Sequence, residues 1–95
     1  MSVPIVSVII PVYNGEKYLR ETIEAVQRQT ISNIDIWVVN DGSKDNTAAI
    51  AEEMMKLDPR IRLINKENTG VSDTRNQGIA KSTGTYVAVL DADDI

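Results

Sequence analysis

Four short strand-like segments, the mainly apolar runs Val6 to Ile10, Ile34 to Val39 and Tyr86 to Leu90 and the shorter Ile61 to Ile64, constrain the fold more than any other feature of this chain. Runs of about four to eight apolar residues bounded by turn signals suit strands covered on both faces. Between them, apolar residues recur at helical spacing. Leu19, Ile23 and Val26 do so within Glu16 to Gln29, and Ile50, Ala51, Met54 and Leu57 do so after a cap at Ser43 or Asp45. A third helical stretch opens at Gly70, with Val71, Gly78 and Ile79 facing inward. Strands alternating with helices predict an α/β fold: a Rossmann-like, mainly parallel sheet with helices on both faces. Right-handed crossovers then bring every strand's carboxyl end to one edge. With strand order 3-2-1-4, the first and fourth strands flank the crevice where the winding reverses, where open α/β sheets bind ligands.

Composition narrows the function. Ninety-five residues with 42% hydrophobic content suffice for one core, and nothing signals a second domain or an internal repeat. A net charge of −4, with the basic residues dispersed, argues against a nucleic-acid surface. Cysteine and histidine are both absent, which removes disulfides, thiol and imidazole nucleophiles and the common zinc sites. The apolar start from Val3 to Val12 lacks a basic leader and is broken by Pro4 and Pro11, so it reads as a strand rather than a signal peptide. The expected setting is the cytoplasm, with a longer parent protein able to sit at the inner membrane face.

The polar residues that follow the strands are the candidates for chemistry. Asp91-Ala92-Asp93-Asp94 closes the fourth run, and carboxylates so close repel unless a cation or strong donors lie nearby. In extended backbone Asp91 and Asp93 share a face and Asp94 takes the other. Oxygen ligands two residues apart suit a hard divalent ion that completes its shell with water and phosphate. Asp41 sits in an Asn-Asp-Gly turn, where a carboxylate serves either turn chemistry or a ligand's N–H or hydroxyl. Tyr13 falls outside the periodic apolar faces and offers a ring on which a base can stack. Trp37 lies inside the second strand and is assigned to the core. Arg75, near the start of the third helix, is either solvated or an offset for diphosphate charge. Lys66 and Lys81 read as surface charges. Neither G-x-G-x-x-G after the first strand nor G-x-x-x-x-G-K-[ST] occurs, which disfavours a dinucleotide fold of the usual type and a P-loop.

Taken together, these residues resemble a known family. Val6-Ser7-Val8-Ile9-Ile10-Pro11-Val12-Tyr13-Asn14-Gly15, then Val39-Asn40-Asp41-Gly42-Ser43-Lys44-Asp45-Asn46-Thr47, look like the opening of a family 2 glycosyltransferase of GT-A fold. So do Glu67-Asn68-Thr69-Gly70-Val71-Ser72, Thr74-Arg75-Asn76-Gln77-Gly78-Ile79 and Leu90-Asp91-Ala92-Asp93-Asp94, in the right order and spacing. The resemblance implies a site for a nucleotide-diphosphate sugar, most often a UDP-sugar. Pro11 and Tyr13 would lie against the base, Asp41 would bond the uracil ring, and Arg75 would stand near the base or diphosphate. Asp91 would contact the ribose or reach the metal through water. Asp93 would ligate Mn2+ or Mg2+ with Asp94 as helper. Asn40 departs from the second Asp common in the family.

The resemblance also implies that residues 1–95 are the donor-binding portion, ending just after the Asp-x-Asp motif. The acceptor site, for a glycan or lipid-linked sugar, and the base for inverting transfer are then expected beyond Ile95. Little turnover is expected of the chain alone. The alternative is a non-catalytic nucleotide-sugar-binding or interaction module, self-associating through the unpaired edge of the fourth strand. A receiver-like domain would cluster its acidic pair after the first strand, where Pro11-Val12-Tyr13 stands instead. A dehalogenase-type phosphatase would carry its Asp-x-Asp near its start.

Overall fold

The computed structural model describes residues 6–29, 33–82 and 86–90. The elements are β1 (Val6–Val12), α1 (Leu19–Gln27), β2 (Ile34–Asp41), α2 (Thr47–Leu57), β3 (Ile61–Lys66), α3 (Val71–Lys81) and β4 (Tyr86–Val89). The strands form one sheet in the order β3-β2-β1-β4, and each neighbouring pair is parallel, as the alternation requires. In register, Pro11 lies opposite Val39, Asn40 opposite Asn65 and Asp41 opposite Lys66. β4 continues its pairing past Val89, since the Leu90 N–H donates to Ile9 O at 2.8 Å.

Strand alternation sorts the apolar side chains onto two faces. Val8, Ile10 and Val12 of β1 with Ile34, Ile36 and Val38 of β2 meet Leu19, Ile23 and Val26 of α1 and Ala51 and Met54 of α2. Each fully buried Ile or Leu in this layer contributes about 1.5–3 kcal/mol. Ile9 and Val39 point the other way, toward α3. There Gly78 allows close approach, because a Cβ at that position would fall 2.4 Å from Ile9 Cγ2 and 3.0 Å from Val39 Cγ2. The inward placement expected of Gly78 is therefore met; the side chain of Val71 lies outside the described set.

Several local expectations are corrected. α1 starts at Leu19 rather than Glu16, because Gly15 O accepts both Tyr18 N–H and Leu19 N–H, making a tight turn before the helix. Of the two cap candidates for α2 the expected Asp45 serves, its Oδ1 accepting the Thr47 N–H at 3.0 Å, with the boundary position itself at Asn46. Leu57 is 77% exposed: α2 lies over the edge strand β3, and among the described residues no element lies beyond its last turn to pack against. Ile79 is exposed too, one position off the line through Thr74 and Gly78 by which α3 meets the sheet. Trp37 is half-buried rather than core. Its Nε1–H donates to Asp35 Oδ2 at 2.7 Å, and the Arg62 guanidinium lies 5.9 Å over its ring. Among the described residues no helix is long and apolar enough to cross a membrane.

Candidate functional site

The carboxyl edge of the sheet gathers the loops after β1, β2 and β3, and side chains tie these loops to one another. The first tie joins the β1–α1 and β2–α2 loops. Asn14 N–H donates to Ser43 Oγ at 2.8 Å, and Lys44 N–H donates back to Asn14 Oδ1 at 2.8 Å. Gly15 N–H donates to Thr47 Oγ1 at 3.0 Å, and Glu16 N–H to Asp45 Oδ2 at 3.2 Å. The Thr47 hydroxyl closes on Asp45 Oδ1. Asn14 adopts φ 50, a left-handed conformation that Asn tolerates, which turns the chain sharply off β1. Burial raises the proton affinity of Asp45, but its bonds from the Thr47 side chain, Thr47 N–H and Glu16 N–H outweigh it and leave the carboxyl below its ordinary range.

The second tie is centred on Asp41, at the end of β2. Its Oδ1 accepts Lys66 Nζ at 2.7 Å and the Thr69 N–H at 2.9 Å, while Oδ2 accepts the Gly70 N–H at 3.2 Å. The pair is buried, with side chains 7% (Lys66) and 6% (Asp41) exposed. Burial alone would raise the Asp41 pKa; the Lys66 bond and charge, the Thr69 N–H and Thr74 bring it below its usual value. Lys66 also donates to Glu67 O at 2.7 Å and to the Thr69 hydroxyl. Thr69 in turn donates to Asp73 Oδ2 at 2.6 Å, in the first turn of α3. Gly42 is required beneath this loop: its φ is +70, and a Cβ would sit 2.7 Å from Asn68 N. The reading of Lys66 as a surface charge is thus corrected. Register would have exposed it, since a lysine that ends one strand level with an aspartate ending its neighbour can reach that carboxylate.

The remaining candidates distribute as follows. Pro11 is buried in β1 and alternates with Ile9 onto the α3 face, the face to which Asp41 alternates with Val39. Tyr13 follows the strand end and is 49% exposed, so its ring is open at the same edge. Arg75 is half-buried on α3 beside Thr74, whose hydroxyl donates to Gly70 O at 2.7 Å. Asp91, Asp93 and Asp94 lie outside the described residues. Among the described residues no group of three acidic, histidine or cysteine side chains could hold a metal ion. Leu90 nonetheless runs alongside Ile9 of β1, so the chain leaves β4 toward the carboxyl edge. The carboxylate-only donor set that follows has the chemistry of a hard divalent cation's ligands.

Similar proteins share this frame. Glycosyltransferase EpsJ of Bacillus subtilis is 47% identical over 92 residues, covering 97% of this chain and 27% of that protein. Among solved structures, residues 1–349 of TarS of S. aureus superpose with TM-score 0.83 at 29% identity, covering 93% of this chain and 27% of that one. TarS has also been crystallised with UDP and with UDP-GlcNAc. The mannosyltransferase PcManGT from Pyrobaculum calidifontis, in complex with GDP-Man and Mn2+, superposes with TM-score 0.87 at 26% identity, covering 98% of this chain and 28% of that one. The chain spans about a quarter of the length of these relatives. The four-stranded parallel sheet with its helices is Rossmann-like, as in these GT-A glycosyltransferases. The model of the family described as "Glycosyl transferase family 2" matches residues 7–95, nearly the whole length, and this chain belongs to that family.

Proposed function

We propose that the chain is the donor-binding portion of a glycosyltransferase and binds a nucleotide-diphosphate sugar, a UDP-sugar by preference, together with Mn2+ or Mg2+. One observation carries this reading: the strands that lead to Pro11, Tyr13 and Asp41 finish on the same carboxyl edge, where Asp41 accepts the Gly70 N–H at the amino end of α3. The base stacks on Tyr13 against Pro11, and Asp41, held as an anion, accepts its ring N–H. Arg75 faces the diphosphate with a fork of donors. Asp93 is the metal ligand, Asp94 its helper, and Asp91 bonds the ribose or a metal-bound water. A divalent ion held there would offset the charge of the departing diphosphate. The UDP and UDP-GlcNAc complexes of TarS and the Mn2+ complex of PcManGT support the ligand classes.

In the whole protein this site serves inverting transfer to the hydroxyl of a glycan or lipid-linked acceptor, in polysaccharide or cell-surface glycan synthesis on the cytoplasmic side of the membrane. None of the residues assigned here acts as the catalytic base. The experiment is a titration of UDP into the 95-residue chain with and without Mn2+, followed by chemical shifts or melting temperature. Metal-dependent binding is expected, weakened by Asp41→Asn and abolished by Asp93→Ala; a wild-type chain that ignores UDP at millimolar concentration sinks the reading. The second reading, an interaction module that self-associates, is favoured by β4, an edge strand with Tyr86, Val87 and Val89 all exposed. Sedimentation as a concentration-dependent dimer together with silence toward UDP would select it.

A further inference from the structure

A carboxylate offers about four lone-pair positions, and described partners occupy three of those on Asp41. Oδ1 is filled by Lys66 and the Thr69 N–H, whereas Oδ2 takes the Gly70 N–H at 3.2 Å; the Thr74 hydroxyl also lies against this carboxyl but spends its one hydrogen on Gly70 O at 2.7 Å, so Oδ2 keeps capacity for one more donor. The Lys66 ammonium is equally committed. Its three N–H groups have three close acceptors, Asp41 Oδ1, Glu67 O and Thr69 Oγ1, with Thr74 Oγ1 a longer neighbour at 3.4 Å. Among the described residues Asp73 of α3 also faces this pair, with Oδ2 3.7 Å from Nζ. Lys66 therefore holds one oxygen of Asp41, and through Glu67 and Thr69 it holds the loop whose amides bind both oxygens.

We propose that Lys66 is a specificity-determining positioning residue: it fixes Asp41 as an acceptor with its opening on Oδ2, so the site selects a base with a ring N–H. This rests on the donor-site reading above. Uracil presents such an N–H at its imino position. Cytosine has the same size but presents a ring-nitrogen lone pair there, which a carboxylate repels. Without Lys66 the carboxyl is free to rotate or to take up a proton, and a protonated carboxyl donates to a cytosine-type nitrogen as readily as it accepts from uracil. The selectivity then resides in the lysine as much as in the aspartate.

The test compares UDP with CDP, each with Mn2+, on the 95-residue chain, with amide hydrogen exchange of Thr69 and Gly70 measured in parallel. Wild type is expected to prefer UDP by at least about tenfold, the span of one charge-assisted hydrogen bond. Lys66→Met should bring the ratio near one and expose both amides to faster exchange. Asp41→Asn should also bring it near one, and the double variant should lower it no further, as two residues acting through one contact require. A merely structural lysine would weaken both nucleotides alike and leave their ratio intact, which overturns the proposal. If Lys66→Met does not fold, Thr69→Ala decides, since it removes one of the lysine's acceptors and leaves the ion pair. A smaller fall in the ratio supports the proposal and an unchanged ratio overturns it. Wild-type protein that binds neither nucleotide overturns the donor-site reading and this inference together, whereas binding that is indifferent to Lys66 overturns this inference alone.

Discussion

The two rims of the sheet are built differently. At the amino rim, Asp58 closes the turn between α2 and β3 chiefly with a residue two positions away. Its carboxylate accepts Arg60 Nε, Arg60 Nη2 at 2.8 Å and the Arg60 N–H, with Gln27 Nε2 at 3.1 Å the distant partner. At the carboxyl rim the ties cross between loops: Asn14 to Ser43 spans 29 positions, Gly15 to Thr47 spans 32 and Asp41 to Lys66 spans 25. A local turn needs little help to form, since its closure entropy is small, while long-range ties lose more freedom and form only on a folded sheet. What they return is rigidity. The rim that carries the candidate site is a single tied platform, and a platform of that kind can present a carboxylate at a fixed position.

The largest expected effect comes from breaking the most buried of these ties. Asp41→Ala leaves Lys66 as a buried ammonium with only the longer, exposed ion pair to Asp73 at 3.7 Å, and frees the Thr69 and Gly70 amides. Removing one partner of a buried pair costs about 3–5 kcal/mol. Urea unfolding at pH 7 should therefore show a loss near 3 kcal/mol or more. A loss under 1 kcal/mol would mean that the platform does not depend on Asp41.

Asp45→Ala should follow. It removes a charged acceptor from the Glu16 and Thr47 amides and the Thr47 hydroxyl, and leaves the first two loops joined only through Asn14–Ser43, Lys44–Asn14 and Gly15–Thr47. Loss of a helix cap and of charge-assisted bonds that water partly replaces comes to about 2 kcal/mol. Because Asp45 bonds only within the junction, UDP affinity measured well below the melting temperature should hold within about twofold. A larger change would show that the first tie shapes the base site as directly as the second.

These rims also explain what the residues alone could and could not disclose. The strands, the helices and their alternation were legible because apolar segments and helical stripes recur at fixed periods, and periodicity is a local property; the order β3-β2-β1-β4 is a matter of pairing between segments. Tyr13 and Asp41 were legible as edge residues for the same reason: each follows a run. Lys66 was not, because its meaning depends on the register between β2 and β3, which no single segment encodes. Leu57 and Ile79 fit their stripes by spacing, yet a stripe says nothing of where the neighbouring layer ends. Trp37 was misplaced by its apolar strand, which did not disclose that α3 covers β1 and β2 while Arg62 of β3 stands beside the ring. The ties of Asn14, Ser43, Asp45 and Thr47 show that much of what resembled a binding motif holds loops together.

At the amino rim the comparison can be sharpened with acid. The Arg60 side chain and, after the opposing effect of burial, Arg60 N–H and Gln27 hold the Asp58 carboxyl at about 2, from an ordinary value of 3.8. A depressed carboxylate adds stability that is complete above its unfolded value and disappears as pH falls through its folded one. The contribution should be intact at pH 5, decline below pH 4 and be gone near pH 2. It is worth about 2 kcal/mol at the usual energy per unit of pKa. Asp58→Asn should lower stability by about 1–2 kcal/mol at pH 7 and flatten the acid limb of its pH dependence. Asp41 and Asp45 are shifted in the same direction, so some acid sensitivity should remain in the variant.

The smallest effect belongs to a tie that also spans the chain but lies on the surface. Arg20 of α1 reaches Glu53 of α2 at 3.1 Å, with side chains 43% and 61% exposed. Sequence separation alone would place it with the carboxyl-rim contacts, being 33 positions long. Exposure places it elsewhere, because water and salt screen the charges and two long side chains must be ordered to meet. Arg20→Ala should cost no more than about 0.5 kcal/mol. If it cost as much as Asp45→Ala, span rather than burial would be what makes a tie matter, and the contrast between the rims would have to be rebuilt on chain topology.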